Sequence, residues 1–319
     1  MRSLARLLRS KEAFVFLLFS GIVAAVTIIC AVRGSAPFLN KLNLQQMARD
    51  TSFLGILAMG ETFVIIAAGI DLSVGSMVSF SCVALAWMYA AGVPLWAGSL
   101  VVLAMAAVIG LYHGFLVARV RVSAFIVTLG TMGIAMGVAR VITNEVPISG
   151  IPAGFKWLAN GLVWGVPVPF FLLLGILAVA AFFAHFTVYG RYLYSLGGNR
   201  EATRLSGVNV RWVETSAYVA GTILAALTGL LYAALTGQGD PKSGELLELE
   251  AITAAVVGGC SLSGGVGSVL GAVLGAATIV ALQKGLLFLG VPTTAHKIVI
   301  GGVLVVAVAI DTWRQERRR

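Results

Sequence analysis

Long apolar runs separated by short polar breaks make up most of the chain, and their lengths decide how it is read. In order, the runs fall at about 13–32, 51–70, 72–91, 95–117, 122–142, 166–187, 214–236, 250–262, 266–289 and 297–311. Most are close to the ~20 residues that carry an α-helix across the hydrocarbon core of a bilayer. Only helices and closed barrels satisfy their own backbone in lipid, and the two-residue alternation of barrel strands is absent. The pattern therefore predicts an all-α polytopic membrane protein of about ten transmembrane helices, built as one membrane domain over 1–319. The first run is long, lacks a small-residue cleavage site and is followed by many like it, so it is read as a retained span. The eighth is too short to cross and predicts a half-helix or re-entrant segment, which needs neighbouring protein to cover its backbone.

Composition agrees with this solvent: 59% of residues are hydrophobic, 11% are charged and the mean hydropathy is +0.98. The net charge of +9 is spread in a way that reports topology. Basic residues gather at Arg2, Arg6, Arg9 and Lys11, at Arg119 and Arg121, at Arg191, Arg200, Arg204 and Arg211, and at Arg317, Arg318 and Arg319. With ten spans all four groups share one side, which the positive-inside rule makes the cytosol. This places the tails 1–12 and 312–319 and the segment 189–213 inside, and the segment 142–166 outside. The stretch 33–49, with Arg33, Lys41 and Arg49, falls outside and dissents. No nucleic-acid role is needed to explain the charge.

Several kinds of chemistry are missing. No polar segment is long enough for a soluble catalytic domain, and no G-x-x-x-x-G-K-[ST] phosphate loop occurs. His113, His185 and His296 stand alone near span ends, where an interfacial placement is expected. Cys30, Cys82 and Cys260 are scattered through apolar runs without metal-ligand spacing. The chain is not read as an enzyme, and no metal site is expected. Uphill transport would have to draw on an ion gradient or on a separate ATPase.

The two longest polar connections lie on opposite sides. The outer one carries Phe155, Trp157 and Trp164, which make either an interfacial aromatic belt or a docking surface for an outside partner. In the inner one Gly197 and Gly198 precede Asn199, which predicts a cap for a short helix starting at Arg200. Glu201 and Ala202 lie in its first turn, where the helix dipole favours the acid, and Gly207 ends it. Such a helix is either a solvated linker or a lever between a soluble motor and the membrane domain.

Two motifs interrupt the apolar pattern. Between Thr51 and Ala91 the only charges are Glu61 and Asp71, and Asp71 sits in GIDLSVGS at 69–76. A related GCSLSGG occurs at 259–265, aligning Gly69, Leu72, Ser73 and Gly75 with Gly259, Leu262, Ser263 and Gly265. An internal repeat with broken helices, of the kind transporters use, would account for the match. Asp71 is expected to accept hydrogen bonds from backbone N–H groups and from Ser73 or Ser76, in a structural or gating role. Lining a substrate path, or simply capping a turn, remain open for it. Glu61, near the middle of its run, must face protein or water. Glu61, Asp71, Ser73, Ser261 and Ser263 are thus the candidates for translocation or gating.

Three stretches together carry a resemblance to a known family: 48–80, 190–210 and 248–276, containing the GIDLSVGS, GGNREATRLSG and GGCSLSGGVG segments. The chain resembles, over nearly its whole length, the permease subunits of monosaccharide-importing ATP-binding-cassette transporters, in the branch serving ribose, xylose and related sugars. The resemblance implies a bacterial inner-membrane permease that works beside a second copy or paralogue by alternating access. It implies a cytosolic ATPase that binds the ATP and Mg, a sugar-binding protein outside, and no cofactor in this chain. Gly197, Gly198, Asn199, Glu201 and Ala202 match the family's ATPase-contacting loop. Thr203 replaces a common alanine, and Ala68 a frequent glycine. The alternative is an ion-driven carrier using Glu61 and Asp71.

Overall fold

The computed structural model describes residues 11–316. The basic residues Arg2, Arg6 and Arg9, with Arg317, Arg318 and Arg319, lie outside the described residues. The chain folds into α1 (Lys11–Val32), α2 (Lys41–Ile66), α3 (Val74–Ala90), α4 (Leu95–Gly114, continued by a π-turn over Phe115–Val120) and α5 (Ala124–Thr143). After β1 (Ile148–Ser149), α6 (Ala153–Asn160), β2 (Leu162–Val163) and β3 (Val166–Pro167) come α7 (Val168–Phe186), α8 (Val188–Gly198), α9 (Arg200–Leu205) and α10 (Val210–Thr236). The last part holds β4 (Gln238–Gly239), α11 (Leu247–Val257), α12 (Val269–Phe288) and α13 (Thr293–Glu316).

Seven of these are long and apolar enough to cross a membrane: α1, α4 with its π-turn, α5, α7, α10, α12 and α13. The other three predicted spans are the most interior elements. In α2 every residue from Thr51 to Ile66 is buried, and in α3 every residue from Val74 to Ala86. α2 fails as a simple apolar span because its first half carries Lys41, Arg49 and Asp50, while α3 has only 17 residues. Both meet protein rather than lipid, so neither needs the length or polarity of a lipid-facing helix. The eighth predicted span is indeed short, an 11-residue α11.

α10 packs on α2, α3 and α4, and α12 packs on α1, α2 and α11, so the interior is helix against helix. Glycine lets these backbones close up. A Cβ on Gly275 would collide with the Ala254 carbonyl of α11, and one on Gly271 with that of Gly258. Gly110 and Gly114 of α4 meet the backbone of α10 at Val219 and Thr215 in the same way. This is the small-residue packing that membrane helices favour.

At one end of the bundle lie α8, α9 and the breaks at 67–73 and 258–268; at the other lies the segment 144–167. There β1 pairs antiparallel with β4, Ile148 opposite Gly239, and β2 with β3. Trp164 and Gly165 form the β2–β3 turn, both with positive φ (52° and 82°), as a two-residue hairpin turn requires. Trp164 stands out at the tip, 94% exposed. Trp157 is also exposed, whereas Phe155 packs against the core.

The glycine contacts give opposite expectations for one substitution at two sites. Gly275→Ala is expected to cost about 1–3 kcal/mol through overpacking. At Gly21, where a Cβ meets nothing within 4 Å, the same change is expected to be neutral or to stabilise by up to about 1 kcal/mol. Thermal unfolding of the two variants in one detergent checks the difference in sign.

Candidate functional site

The GIDLSVGS segment begins as a helix end. Ala68 N–H donates to Ile65 O (2.9 Å) and Gly69 N–H to Val64 O (2.9 Å), the paired bonds of a Schellman motif. Ala68 therefore occupies the left-handed position (φ 64°) that normally calls for glycine. The chain then turns back into the bundle, placing Asp71 beside Glu61 of α2.

Glu61 Oε1 accepts from the Asp71 N–H at 3.2 Å, and Asp71 Oδ1 accepts from Ser73 N–H (2.8 Å) and Ser73 Oγ (2.6 Å). Ser73, not Ser76, is the serine on the carboxylate; Ser76 Oγ donates to the Ser73 carbonyl instead. The second oxygen, Asp71 Oδ2, lies 3.6 Å from His113 Nδ1 on α4. His113 is completely buried, not interfacial, and its Nε2 lies 2.9 Å from Thr131 Oγ1 on α5. That hydroxyl also lies 3.0 Å from Val127 O. The Tyr218 ring of α10 meets His113 edge-on, with centroids 5.9 Å apart, and its hydroxyl lies against Gly69.

Glu61, Asp71, His113 and Tyr218 thus bring α2, the break, α4 and α10 together in a fully buried polar cluster. One atom of each, Glu61 Oε2, Asp71 Oδ2, His113 Nδ1 and Tyr218 Oη, makes no hydrogen bond. Among the described residues no cluster has the makings of a metal site. Ser261 and Ser263 are not part of this cluster. Ser261 Oγ lies 3.1 Å from Ser263 Oγ and donates to Asp311 Oδ2 of α13 at 2.9 Å.

The two related motifs nevertheless touch. Gly265 N–H donates to Ile66 O at 2.9 Å, and Gly264 packs on Ala68. Gly197 of α8 packs on the same carbonyl so closely that any Cβ would collide with it. Asn199 then turns the chain and caps α9, its side chain accepting from Ala202 N–H at 2.9 Å, and Gly207 follows the helix with φ 83°. Thr203, the buried residue of α9, bonds Ser195 Oγ (2.9 Å) and the Asn199 carbonyl (2.8 Å). Glu201, Ala202, Arg204 and Leu205 face solvent. The hydrogen bond from Arg204 holds the Glu201 carboxyl below the usual carboxylate range. Arg200 instead turns inward, pairing with Glu214 of α10 and donating to Ala118 O (3.4 Å) in the π-turn.

A family model described as branched-chain amino acid transport system / permease component matches residues 43–308. The chain belongs to this permease family. Among similar proteins, the ribose import permease protein RbsC of Escherichia coli is 38% identical over 300 residues, covering 92% of this permease and 93% of RbsC. RbsC of Haemophilus influenzae is 36% identical over 314 residues, covering 97% and 95%. The xylose transport system permease protein XylH of Escherichia coli is 32% identical over 375 aligned positions, covering 97% and 94%. No solved structure matches the permease.

Sequence reasoning missed the partnership of Asp71 with His113 and Tyr218, which are far apart in the permease chain, and the Arg200–Glu214 pair, which joins α9 to α10 across the turn at Gly207. One signal was present for His113: Gly110 and Gly114 flank it on α4, marking a face closely packed by another helix. His185 is exposed and stacks on Tyr194, while His296 is buried near the start of α13.

Two outcomes follow for thermal unfolding of the permease. Ala68→Gly is expected to stabilise by about 1 kcal/mol, because it removes a left-handed alanine. Asp71→Ala leaves the buried Ser73 N–H unpaired and is expected to cost about 1–3 kcal/mol, with Asp71→Asn, which keeps an oxygen acceptor, costing less.

Proposed function

We propose that this permease is the membrane subunit of an ATP-driven importer for a monosaccharide or related small sugar, housed in a bacterial inner membrane with both termini in the cytosol. Its partners are a cytosolic ATPase that binds ATP and Mg, an extracytoplasmic sugar-binding protein, and a second permease copy or paralogue. The observation that carries the reading is α9, which presents Glu201, Ala202, Arg204 and Leu205 outward while being anchored inward at its N-terminal end. On its N-terminal side Gly197 sits on the Ile66 carbonyl, where the two broken-helix motifs meet, and Arg200 reaches Glu214 of α10. Force applied to α9 by an ATPase is thereby delivered to α2, α10 and the break before α12.

The basic residues on α8, on α9 and around Arg121 support a cytosolic placement of this end. The opposite end then faces the binding protein, with Trp164 at the tip of its hairpin. The family description names amino acids, whereas similar proteins over nearly the full chain are named for ribose and xylose; the sugar assignment follows the latter. The family description and the XylH name both speak of a transport system of which the permease is one part, which favours this reading over a self-sufficient ion-driven carrier. Glu61 and Asp71 fit a gating or structural role, since they hold the break before α3 against α2 and α4.

Co-purification with the candidate ATPase tests the proposal. Replacing Asn199 and Glu201 by arginine removes the cap and reverses a charge on the exposed face, and is expected to abolish association while leaving the membrane-inserted fold intact. Retained association at wild-type level would overturn the assignment of α9.

A further inference from the structure

Four helices leave a gap between them in the half of the bundle nearer the 144–167 segment. Its walls carry Arg49, Asp50 and Phe53 from the first half of α2, Tyr232 from the last turns of α10, Glu250 from the first turn of α11 and Gln283 from the last turns of α12. The opposite ends of α2, α11 and α12 meet at the breaks over 67–73 and 258–268, and α10 ends beside β4 and its partner β1. All four helices therefore place the gap on the same side, the one assigned above to the sugar-binding protein. The cavity measures about 410 Å³, which falls in the lower part of the range of about 300–1,000 Å³ for small-molecule sites. Every wall comes from this one chain.

The charges here balance. Arg49 Nε donates to Asp50 Oδ1 at 3.2 Å, Lys284 Nζ of α12 pairs with Asp50 Oδ2 at 2.8 Å, and Gln283 Nε2 donates to Glu250 Oε1 at 2.9 Å. Arg49 and Lys284 thus stand against Asp50 and Glu250, and the formal charge is zero. A site for an ion would carry an excess of one sign. These bonds use only part of the polar equipment. The two terminal amino groups of Arg49, Glu250 Oε2, Gln283 Oε1 and the Tyr232 hydroxyl make no hydrogen bond among the described residues. Tyr232 feels the charges of Glu250, Asp50 and Arg49, and its ring stands edge-on to Phe53 with centroids 5.2 Å apart. The side chains of Arg49 and Asp50 keep 25% and 30% of their surface, so the cavity is open to solvent.

We propose that this cavity is a binding site for a single monosaccharide, in which Arg49 donates to sugar hydroxyls, Glu250 and Gln283 accept from them, and Tyr232 does either while its ring covers an apolar face of the sugar. The occupant rests on the sugar-import reading above. Each sugar hydroxyl gives up water on entry and needs both a donor and an acceptor in return. A guanidinium and a carboxylate supply these as charge-assisted bonds, and their opposite charges leave no net field to retain an ion. The aromatic pair adds the flat apolar surface that the C–H groups of a sugar ring require. Because the walls belong to four different helices, movement of α10 or α11 against α2 and α12 separates the acceptors from Arg49 and releases the sugar.

Equilibrium binding of a panel of radiolabelled aldopentoses and aldohexoses to the full-length permease in lipid nanodiscs, with no sugar-binding protein present, tests this. Uptake of the same panel by the complete complex in proteoliposomes is measured beside it. The unaltered chain is expected to bind the imported sugar saturably, one molecule per chain. Glu250→Gln, which keeps an oxygen for the Gln283 bond, is expected to weaken binding about tenfold through loss of a charge-assisted bond. Tyr232→Phe is expected to weaken it about fivefold without lowering the unfolding temperature, because the hydroxyl it removes bonds nothing within the chain; a merely structural Tyr232 would leave binding unchanged. Undiminished binding in both variants overturns the assignment of the cavity. A permease that binds no sugar of the panel, in a complex that imports one, overturns the site and leaves the sugar reading standing. A complex that imports none of them overturns the sugar reading and the occupant with it.

Discussion

The carbonyl of Ile66 is the point on which the arrangement of broken helices depends. It is one of the last carbonyls of α2, left without an intrahelical partner as helix ends always are, and it is taken up by the Gly265 N–H from a motif almost two hundred residues away. Gly197 lies on it as well, with no room for a side chain. Two other segments thus converge on one backbone acceptor of α2, and each reaches it only because glycine brings main chain against main chain. The breaks at 67–73 and 258–268 are stabilised by each other and by α8, not by solvent.

A second link runs beside the first. Arg200 ties α9 to Glu214 at the foot of α10, and one helical turn further along α10 stands Tyr218, against His113 and Gly69. The buried carboxylates and the solvent-facing helix are therefore connected through a single rigid element. Buried polar groups with unused hydrogen-bonding atoms are costly, and holding four of them together ties the geometry of the first break closely to the positions of α4 and α10.

Much of this was legible in the sequence. The spans, the short α11 and the capped α9 rest on local signals, namely run length, Asn199 and Gly207, which survive folding because they depend on neighbours in the chain. The inner location of Glu61 followed from the cost of charge in lipid. The partners of Asp71 were only half legible, since Ser73 is two residues away whereas His113 comes from another helix. The three interior helices were legible as apolar runs, but not as protein-facing ones; apolar composition is the same signal whether the neighbour is lipid or another helix. The ion pair of Asp50 with Lys284 had no local mark at all.

The π-turn at Phe115–Val120 has a consequence for how this chain tolerates change in length. A π-turn holds one more residue than the α-helical turn it replaces, and here it closes with Arg121 in the left-handed region (φ 68°), its N–H bonded to Leu116 O. Deleting one residue from it would tighten the wide turn to a regular α-helical one, drawing the Ala118 carbonyl away from Arg200 and removing the bond that closes the turn at Arg121. The β2–β3 tip, by contrast, ends in an exposed tryptophan that contacts little. Insertions and deletions should accordingly accumulate at the hairpin in related chains, and be excluded from a six-residue stretch that has no conspicuous side chain to mark it.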